Sequence, residues 1–285
     1  MVAVLRRPLV AVAALMLGSA GVAAQTATFS SRLDAVRVDV LVTEGGTPVQ
    51  GLTSADFDVL DNGVRQSVDL VSFEELPVNV MLALDLSSSL KGERLEHLRA
   101  AGHTLLDGLK RDDRAGLITF SRAVVTQAPL GADLTRVRAG LDRAEGSNET
   151  ALIDASYEGL MMSEADTGRS LLIVFTDGVD TASWLMADAV LETARRSDVV
   201  VYGVEVGARG PGFLRNLTEG SGGRLLDVGS TKDLKAAFNT ILEEFRQRYL
   251  ISYSLRGTPA GGWHRLDVRV KGRRAVKARP GYFSQ

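Results

Sequence analysis

Hydrophobic positions divide the chain into regions with different periods. Apolar and polar residues alternate in residues 36–42 and again in 266–270, which is the pattern of half-buried β-strands. The segment from Asp61 to Gly63 follows a similar stretch and predicts a hairpin, because Asn-Gly tolerates the positive φ angles of a tight turn. Neither flank of the chain holds enough strands for a stable sheet of its own. We therefore expect residues 26–76 and 249–285 to pair with each other in a small β-sandwich.

The central region, residues 77–248, has a different pattern. Short continuous apolar runs alternate here with segments of helical period, and such runs are typical of strands that are buried on both faces. The apolar runs are residues 80–84, 117–120, 171–175 and 199–206, and the clearest helical segments are 93–110, 152–160 and 234–248. This alternation predicts an α/β domain with a doubly wound, mostly parallel sheet, inserted between the two β flanks. Residues 124–129 predict a short antiparallel edge strand.

The first 24 residues have the order of a secretory signal peptide. Arg6 and Arg7 precede an apolar run at residues 9–17, and small residues at 22–24 offer a cleavage site after Ala24. A membrane-spanning helix needs about 20 apolar residues, so this run is too short for an anchor, and no later segment is long and apolar enough to span. We expect an exported protein of the periplasm, the cell surface or the medium, with no membrane span in the mature chain.

Composition excludes several classes of protein. The 285 residues carry a net charge of −2, which is too balanced for a nucleic-acid-binding surface. The absence of cysteine excludes disulfides, thiolate metal sites and cysteine nucleophiles. The three histidines, His97, His103 and His264, favour structural roles, and no nucleophile elbow or phosphate-binding glycine loop follows any strand. We therefore expect that the protein is not an enzyme.

Oxygen-bearing side chains gather where the central strands end. Five candidates come from three loops. Asp85, Ser87 and Ser89 follow the apolar run at 80–84, Thr150 precedes the helical segment at 152–160, and Asp177 follows the apolar run at 171–175. Asp85, Ser87 and Ser89 would share one side of an extended segment, and Gly178 would let the backbone turn sharply after Asp177. Each residue alone is explained as well by a helix cap or a turn. Their combination at the ligand-binding edge of a doubly wound sheet indicates a site.

In order and spacing, these five residues resemble the metal-ion-dependent adhesion site (MIDAS) of the von Willebrand factor type A (VWA) domains. The resemblance covers about residues 78–248 and implies a Rossmann-like fold for this part of the chain. The flanks, including residues 52–57 and 249–253, further resemble those of a group of exported bacterial proteins with this domain.

The resemblance also implies how the site works. Ser87, Ser89 and Thr150 would bind a metal ion directly, whereas Asp85 and Asp177 would act mostly through water or hydrogen bonds. All five side chains offer oxygen, which Mg²⁺, Mn²⁺ and Ca²⁺ prefer, while zinc favours imidazole or thiolate. An Asp or Glu carboxylate of a partner protein would complete the coordination. The implied function is divalent-cation-dependent protein binding, in adhesion or in a scaffold.

Two other functions remain open from the sequence. One is a structural envelope scaffold whose metal site is vestigial, and the other is a metal-dependent hydrolase. Asp180 and Trp184 follow the last site residue closely and are candidates for the rim of a binding face, although a buried Trp184 is an equal expectation.

Overall fold

The computed structural model describes residues 35–72, 76–143, 149–164, 167–207, 212–259, 261–272 and 274–284. The predicted signal peptide, residues 1–24, lies outside these ranges. Within them, no helix combines the length and the apolar character that a membrane crossing requires.

The amino-terminal flank folds into short strands. They are β1 (Ala35–Glu44), β2 (Thr47–Pro48), β3 (Phe57–Asp61), β4 (Val64–Gln66) and β5 (Val68–Ser72). The predicted hairpin joins β3 to β4. At its tip, Asn62 and Gly63 have φ angles of 48° and 82°, the positive values that this turn requires.

A six-stranded sheet follows. Its strands are β6 (Val78–Asp85), β7 (Arg114–Phe120), β8 (Val124–Gly131), β9 (Arg169–Thr176), β10 (Val200–Val206) and β11 (Leu225–Val228). Their order across the sheet is β11-β10-β9-β6-β7-β8. All neighbours are parallel except β8, which runs antiparallel to β7 at the edge. The doubly wound, mostly parallel sheet and its antiparallel edge strand are confirmed.

Helices cover both faces of this sheet. They are α1 (Glu93–Asp107), α2 (Leu134–Arg143), α3 (Leu152–Ser163), α4 (Ala187–Arg196), α5 (Phe213–Gly220) and α6 (Leu234–Arg246). One apolar layer joins α1, α2 and α6 to alternate residues of β6 such as Leu82, and a second layer joins α3, α4 and α5 to intervening residues such as Met81. Because successive strand side chains point to opposite faces, an uninterrupted apolar run serves both layers.

The carboxyl-terminal flank completes a β-sandwich. Its strands are β12 (Tyr249–Ser254), β13 (Gly262–Val270), β14 (Ala275–Lys277) and β15 (Gly281–Ser284). One sheet has the order β14-β1-β12-β5, with β2 beside β1, and the other has the order β15-β13-β3-β4. Each sheet contains strands of both flanks, and an apolar core lies between them. The expected sandwich, interrupted in the chain by the α/β part, is confirmed.

A buried aspartate joins the two sheets of the sandwich. Asp61, at the end of β3, accepts hydrogen bonds from the hydroxyls of Tyr253 at 2.7 Å and Tyr282 at 2.8 Å and from His264 Nδ1 at 2.6 Å. Tyr253 lies on β12 in one sheet, whereas Asp61, His264 and Tyr282 lie on strands of the other sheet. Burial raises the pKa of both tyrosines, so their hydroxyls stay protonated as donors.

Replacing Asp61 by alanine is expected to lower the free energy of unfolding by about 3 kcal/mol or more, because three buried donors lose their acceptor together. Urea unfolding followed by circular dichroism measures the loss. Asp58→Ala, on the same strand, is the control, because Asp58 pairs at 2.6 Å with an exposed Arg65 and exposed ion pairs contribute little to stability. Equal and small losses in the two variants would contradict the bridging role of Asp61.

Candidate metal centre

The centre lies where the connections of the sheet reverse direction. The chain leaves β6 through α1 towards β7 on one side, and leaves β9 through α4 towards β10 on the other. The carboxyl ends of two such strands border the crevice in which doubly wound sheets bind ligands. Asp85 is the last residue of β6, and Asp177 directly follows β9. The sheet topology therefore brings the two carboxylates to one crevice.

The segment after β6 turns back on itself. Asp85 Oδ1 accepts a hydrogen bond from the backbone N–H of Ser87 at 2.8 Å. The N–H of Leu90 donates to the carbonyl of Ser87 at 2.9 Å, which closes a turn over residues 87–90. The expectation of an extended segment through Ser89 is therefore wrong. The turn nevertheless places the Ser87 and Ser89 hydroxyls 2.9 Å apart.

Three side-chain oxygens from the two loops meet at this point. The Ser89 hydroxyl donates to Asp177 Oδ1 at 2.7 Å, and the Ser87 hydroxyl lies 3.4 Å from the same oxygen. Together with the 2.9 Å between the hydroxyls, these distances bracket the spacing of adjacent ligands around Mg²⁺, which is about 3.0 Å for bonds of about 2.1 Å. The Ser87 and Ser89 hydroxyls therefore have a spacing at which both could bind one ion, with Asp177 Oδ1 hydrogen-bonded beside them.

Thr150 borders the same crevice from a third loop. Its backbone N–H donates to the Thr181 hydroxyl at 3.0 Å, and its carbonyl accepts the N–H groups of Thr181 at 2.8 Å and Ala182 at 3.1 Å. A Cβ atom on Gly178 would lie 3.4 Å from Thr150 Oγ1 and 4.0 Å from Asp85 Oδ2. The backbone bends at Gly178 without a positive φ angle. The glycine therefore matters for the space that it leaves between these oxygens.

Burial dominates the electrostatics of Asp85. Desolvation raises the pKa of this carboxyl to about 6, although hydrogen bonds from the Thr176 hydroxyl and the Ser87 N–H favour the charged form; the neighbouring charge of Asp177 raises it further. The Thr176 hydroxyl donates to Asp85 Oδ2 at 2.6 Å. Above pH 6, Asp85 is therefore a buried charge that a nearby cation would stabilise.

Arg94 also belongs to the site, although the sequence pattern did not predict it. Its guanidinium donates to Asp177 Oδ2 at 2.6 Å, on the side away from the serine hydroxyls. Arg94 lies in the first turn of α1, where the helix dipole disfavours a positive charge. A basic residue in the first turn of a helix, close to predicted carboxylates, is the sequence signal that could have indicated the ion pair between Arg94 and Asp177.

The two predicted rim residues differ in their surroundings. Asp180 Oδ1 accepts hydrogen bonds from the Ser183 hydroxyl at 2.5 Å and the N–H of Ile153 at 3.2 Å, so its carboxylate caps α3. Trp184 is 93% exposed, which decides against the expectation of a buried indole.

The histidines lie elsewhere. His97 bonds to Thr231, His103 to Asp142 and His264 to Asp61. In the described ranges, no group of three or more His, Cys, Asp or Glu side chains could hold a metal ion. A metal at the crevice therefore depends on the serine and threonine hydroxyls.

Comparisons with known proteins place the central region in one family. The family model of the von Willebrand factor type A domain matches residues 79–240. Inter-alpha-trypsin inhibitor heavy chain H3 of Mesocricetus auratus is 26% identical over 136 residues, which are 43% of this chain and 15% of that protein. The chain therefore matches only a small part of the length of this relative.

Solved structures share the fold at low sequence identity. A von Willebrand factor type A protein from Catenulispora acidiphila has a TM-score of 0.52 and 13% identity, over 80% of this chain and 73% of that one. Proximal thread matrix protein 1 from the mussel byssus, with a zinc-occupied MIDAS motif, has a TM-score of 0.54 and 14% identity, over 64% of this chain and 48% of that one.

The Asp85→Asn variant is expected to be more stable than the wild type in the presence of a chelator at pH 7.5, by on the order of 1–3 kcal/mol. The amide keeps the shape and can still bond to Ser87 and Thr176, but it carries no buried charge. The gain should shrink towards pH 4.5, because a raised pKa lets wild-type Asp85 take up a proton as the pH falls through about 6. Urea unfolding at the two pH values measures both effects.

Asp113→Asn provides a matched control. Asp113 is also buried, but it pairs with Arg246 at 2.5 Å and accepts the N–H groups of Val78 at 2.8 Å and Lys110 at 2.7 Å. Loss of its charge should destabilise the protein. If both variants lost stability at pH 7.5, the charge of Asp85 would be compensated without a metal.

Proposed function

Because the chain belongs to the von Willebrand factor type A domain family, we propose that it is a divalent-cation-dependent protein-binding module. Its metal ion would be held by Asp85, Ser87, Ser89, Thr150 and Asp177. The observation that carries the proposal is the cluster of Ser87, Ser89 and Asp177 oxygens, 2.7–3.4 Å from one another. Metal-dependent protein interaction is the known role of this domain family.

The residues fit a hard divalent cation. Every donor is an oxygen, which favours Mg²⁺, with Mn²⁺ or Ca²⁺ as alternatives. The missing side chain of Gly178 leaves space between Thr150 and Asp85. A cation there would also stabilise the buried charge of Asp85, whose pKa burial raises to about 6. Since the mussel protein holds zinc in its MIDAS motif, zinc belongs among the ions to be tested.

The ligand on the partner would be an Asp or Glu carboxylate. The three groups that would bind the ion directly, Ser87, Ser89 and Thr150, are neutral hydroxyls, so the ion would keep enough positive charge to attract a partner carboxylate. The ion would supply Lewis acidity and positive charge for binding, and no bond needs to break. We propose no catalytic activity, because all three histidines bond to residues away from the crevice.

Export forms part of the same proposal. It rests on the signal-peptide pattern of residues 1–24, which ends in a small-residue cleavage site after Ala24. The partner would then be met in the periplasm, at the cell surface or outside the cell. A structural scaffold and a metal-dependent hydrolase are the alternatives.

Isothermal calorimetry on the mature chain, with Zn²⁺ titrated for comparison, should detect Mg²⁺ and Mn²⁺ binding with dissociation constants between micromolar and millimolar. Ser89→Ala removes a proposed ligand, and Gly178→Ala adds a methyl group beside Thr150 Oγ1. Ser89→Ala should weaken metal binding by at least about tenfold, and Gly178→Ala should weaken it less, because its methyl group would make only ordinary van der Waals contact with Thr150. Ser88→Ala is the control, because Ser88 is exposed in the same turn.

An affinity column of the wild type should then retain an envelope protein in Mg²⁺ and release it with a chelator, and a Ser89→Ala column should not retain it. A wild type that binds no divalent cation would favour the scaffold instead. Turnover of generic phosphate or peptide substrates, lost in Asp85→Ala, would favour the hydrolase.

Arg94→Gln is expected to tighten Mg²⁺ binding several-fold at low ionic strength. The guanidinium lies 2.6 Å from Asp177 Oδ2 and would repel a divalent cation on the other side of that carboxylate. The gain should fall as salt is added, because Arg94 is partly exposed and its charge is screened. Arg94→Lys keeps the charge and should bind as the wild type does. Weaker Mg²⁺ binding by Arg94→Gln would mean that Arg94 chiefly orients Asp177.

A further inference from the structure

Large apolar side chains are exposed beside the candidate metal centre. Ten large hydrophobic side chains are exposed in the described part of the chain, and six of them lie on α3 or on the loop of residues 177–186. These six, which we call the apolar rim, are Tyr157, Met161, Val179, Trp184, Leu185 and Met186. Trp184 is 93% exposed and Met186 is 76% exposed. Clustered exposure of this kind marks interaction sites on soluble proteins.

Hydrogen bonds hold the loop of the apolar rim in place. The Ser183 hydroxyl donates to Asp180 Oδ1 at 2.5 Å and accepts the N–H of Asp154 at 3.1 Å. The Asp154 carboxylate in turn accepts the N–H groups of Trp184 at 2.9 Å and Leu185 at 2.9 Å. The loop therefore caps α3, and the first turn of α3 binds the loop. Because the loop backbone is already held, a partner that covers the indole would not have to order the loop as well.

The loop that carries most of the apolar rim adjoins the metal centre. Val179 is two residues from Asp177, and Thr181 exchanges backbone and side-chain hydrogen bonds with Thr150. Trp184 is bonded to Asp154, which lies in the first turn of the helix that follows Thr150. A protein that approaches the crevice with a carboxylate would therefore meet the apolar rim.

Charge around the apolar rim favours a protein partner over a membrane. Residues 150–164 and 177–186, which carry the rim, contain five Asp or Glu and no Lys or Arg. Surfaces that insert apolar side chains into anionic membranes depend on basic residues for attraction. Tryptophan and methionine are enriched at protein interfaces.

We propose that the apolar rim selects the partner, and that it binds a peptide segment in which an Asp or Glu is flanked by large apolar side chains. The inference rests on the proposed function, because the metal ion would bind the carboxylate while the rim binds the neighbouring side chains. A metal-bound carboxylate discriminates poorly among acidic proteins. The flanking contacts therefore supply the specificity.

A peptide library tests this directly. Phage-displayed heptapeptides with a fixed central aspartate and six random positions are selected on the immobilised mature chain in Mg²⁺ and eluted with a chelator. We expect Trp, Phe, Leu and Met to be enriched beside the aspartate. A synthetic peptide of the selected sequence should bind the Trp184→Ser/Met186→Ser double variant at least about tenfold more weakly than the wild type.

Two controls distinguish an effect of the apolar rim from a loss of metal binding and from non-specific hydrophobic binding. The double variant should keep the wild-type Mg²⁺ affinity in calorimetry, because neither residue is a proposed ligand. Leu70→Ser should keep the wild-type peptide affinity, because Leu70 is 54% exposed on β5, in the sandwich.

Several outcomes would overturn the inference while metal binding stands. In the selection, these are the recovery of no Mg²⁺-dependent peptide and the recovery of peptides without apolar enrichment. With the synthetic peptide, they are equal affinity for the double variant and the wild type, and binding that persists in chelator. Binding to phosphatidylglycerol–phosphatidylcholine vesicles that the double variant loses would make the rim a membrane surface instead. A wild type with no Mg²⁺ affinity would reject the proposed function, and the inference with it.

Discussion

The buried charge of Asp85 is the constraint on which the candidate centre depends. Its carboxylate lies at the end of a central strand, between two apolar layers, where burial raises its pKa to about 6. Hydrogen bonds from Thr176 and Ser87 offset only part of the desolvation. Asp177 adds a second negative charge nearby, and Arg94 pairs with its outer oxygen alone. The fold thus holds acidic oxygens together against their own repulsion, an arrangement that favours a cation between them.

The sheet keeps this geometry because its other end is fixed to the sandwich. Arg169, the first residue of β9, pairs with Asp39 of β1 and donates to the carbonyl of Arg248 at 3.2 Å. Arg248 is fully buried and donates to the Tyr202 hydroxyl at 2.8 Å. Arg248 lies between α6 and β12, and Arg169 lies at the amino end of β9, whose carboxyl end leads into Asp177. Strand β9 therefore has a buried ion pair at one end and Asp177 at the other.

Much of this architecture follows from the sequence, and the exceptions have physical reasons. Long apolar runs predict β6 and β9, and the parallel order brings Asp85 and Asp177 together without knowledge of any side-chain contact. Helix α4 was not predicted, because only Val190 and Ala194 of its ten residues are buried and so its apolar period is weak. The pairing of Arg94 with Asp177 depends on a tertiary contact between residues 83 positions apart, and alternation alone does not distinguish an extended segment from the local turn over residues 87–90. The exposure of Trp184 also could not be predicted, since an indole is as common in a core as at an interface.

The centre and the apolar rim share one loop and are linked by the hydrogen bonds between Thr150 and Thr181, so they do not act as independent surfaces. Thr150 contributes its hydroxyl to the crevice, and its backbone bonds to Thr181 of the loop. That loop carries Gly178 towards the centre and Trp184 towards solvent. A shift of the loop would therefore change the space between the oxygens and the position of the indole together. Rigid coupling of this kind favours a partner that fits both at once, because a ligand that engages only one gains no help from the other.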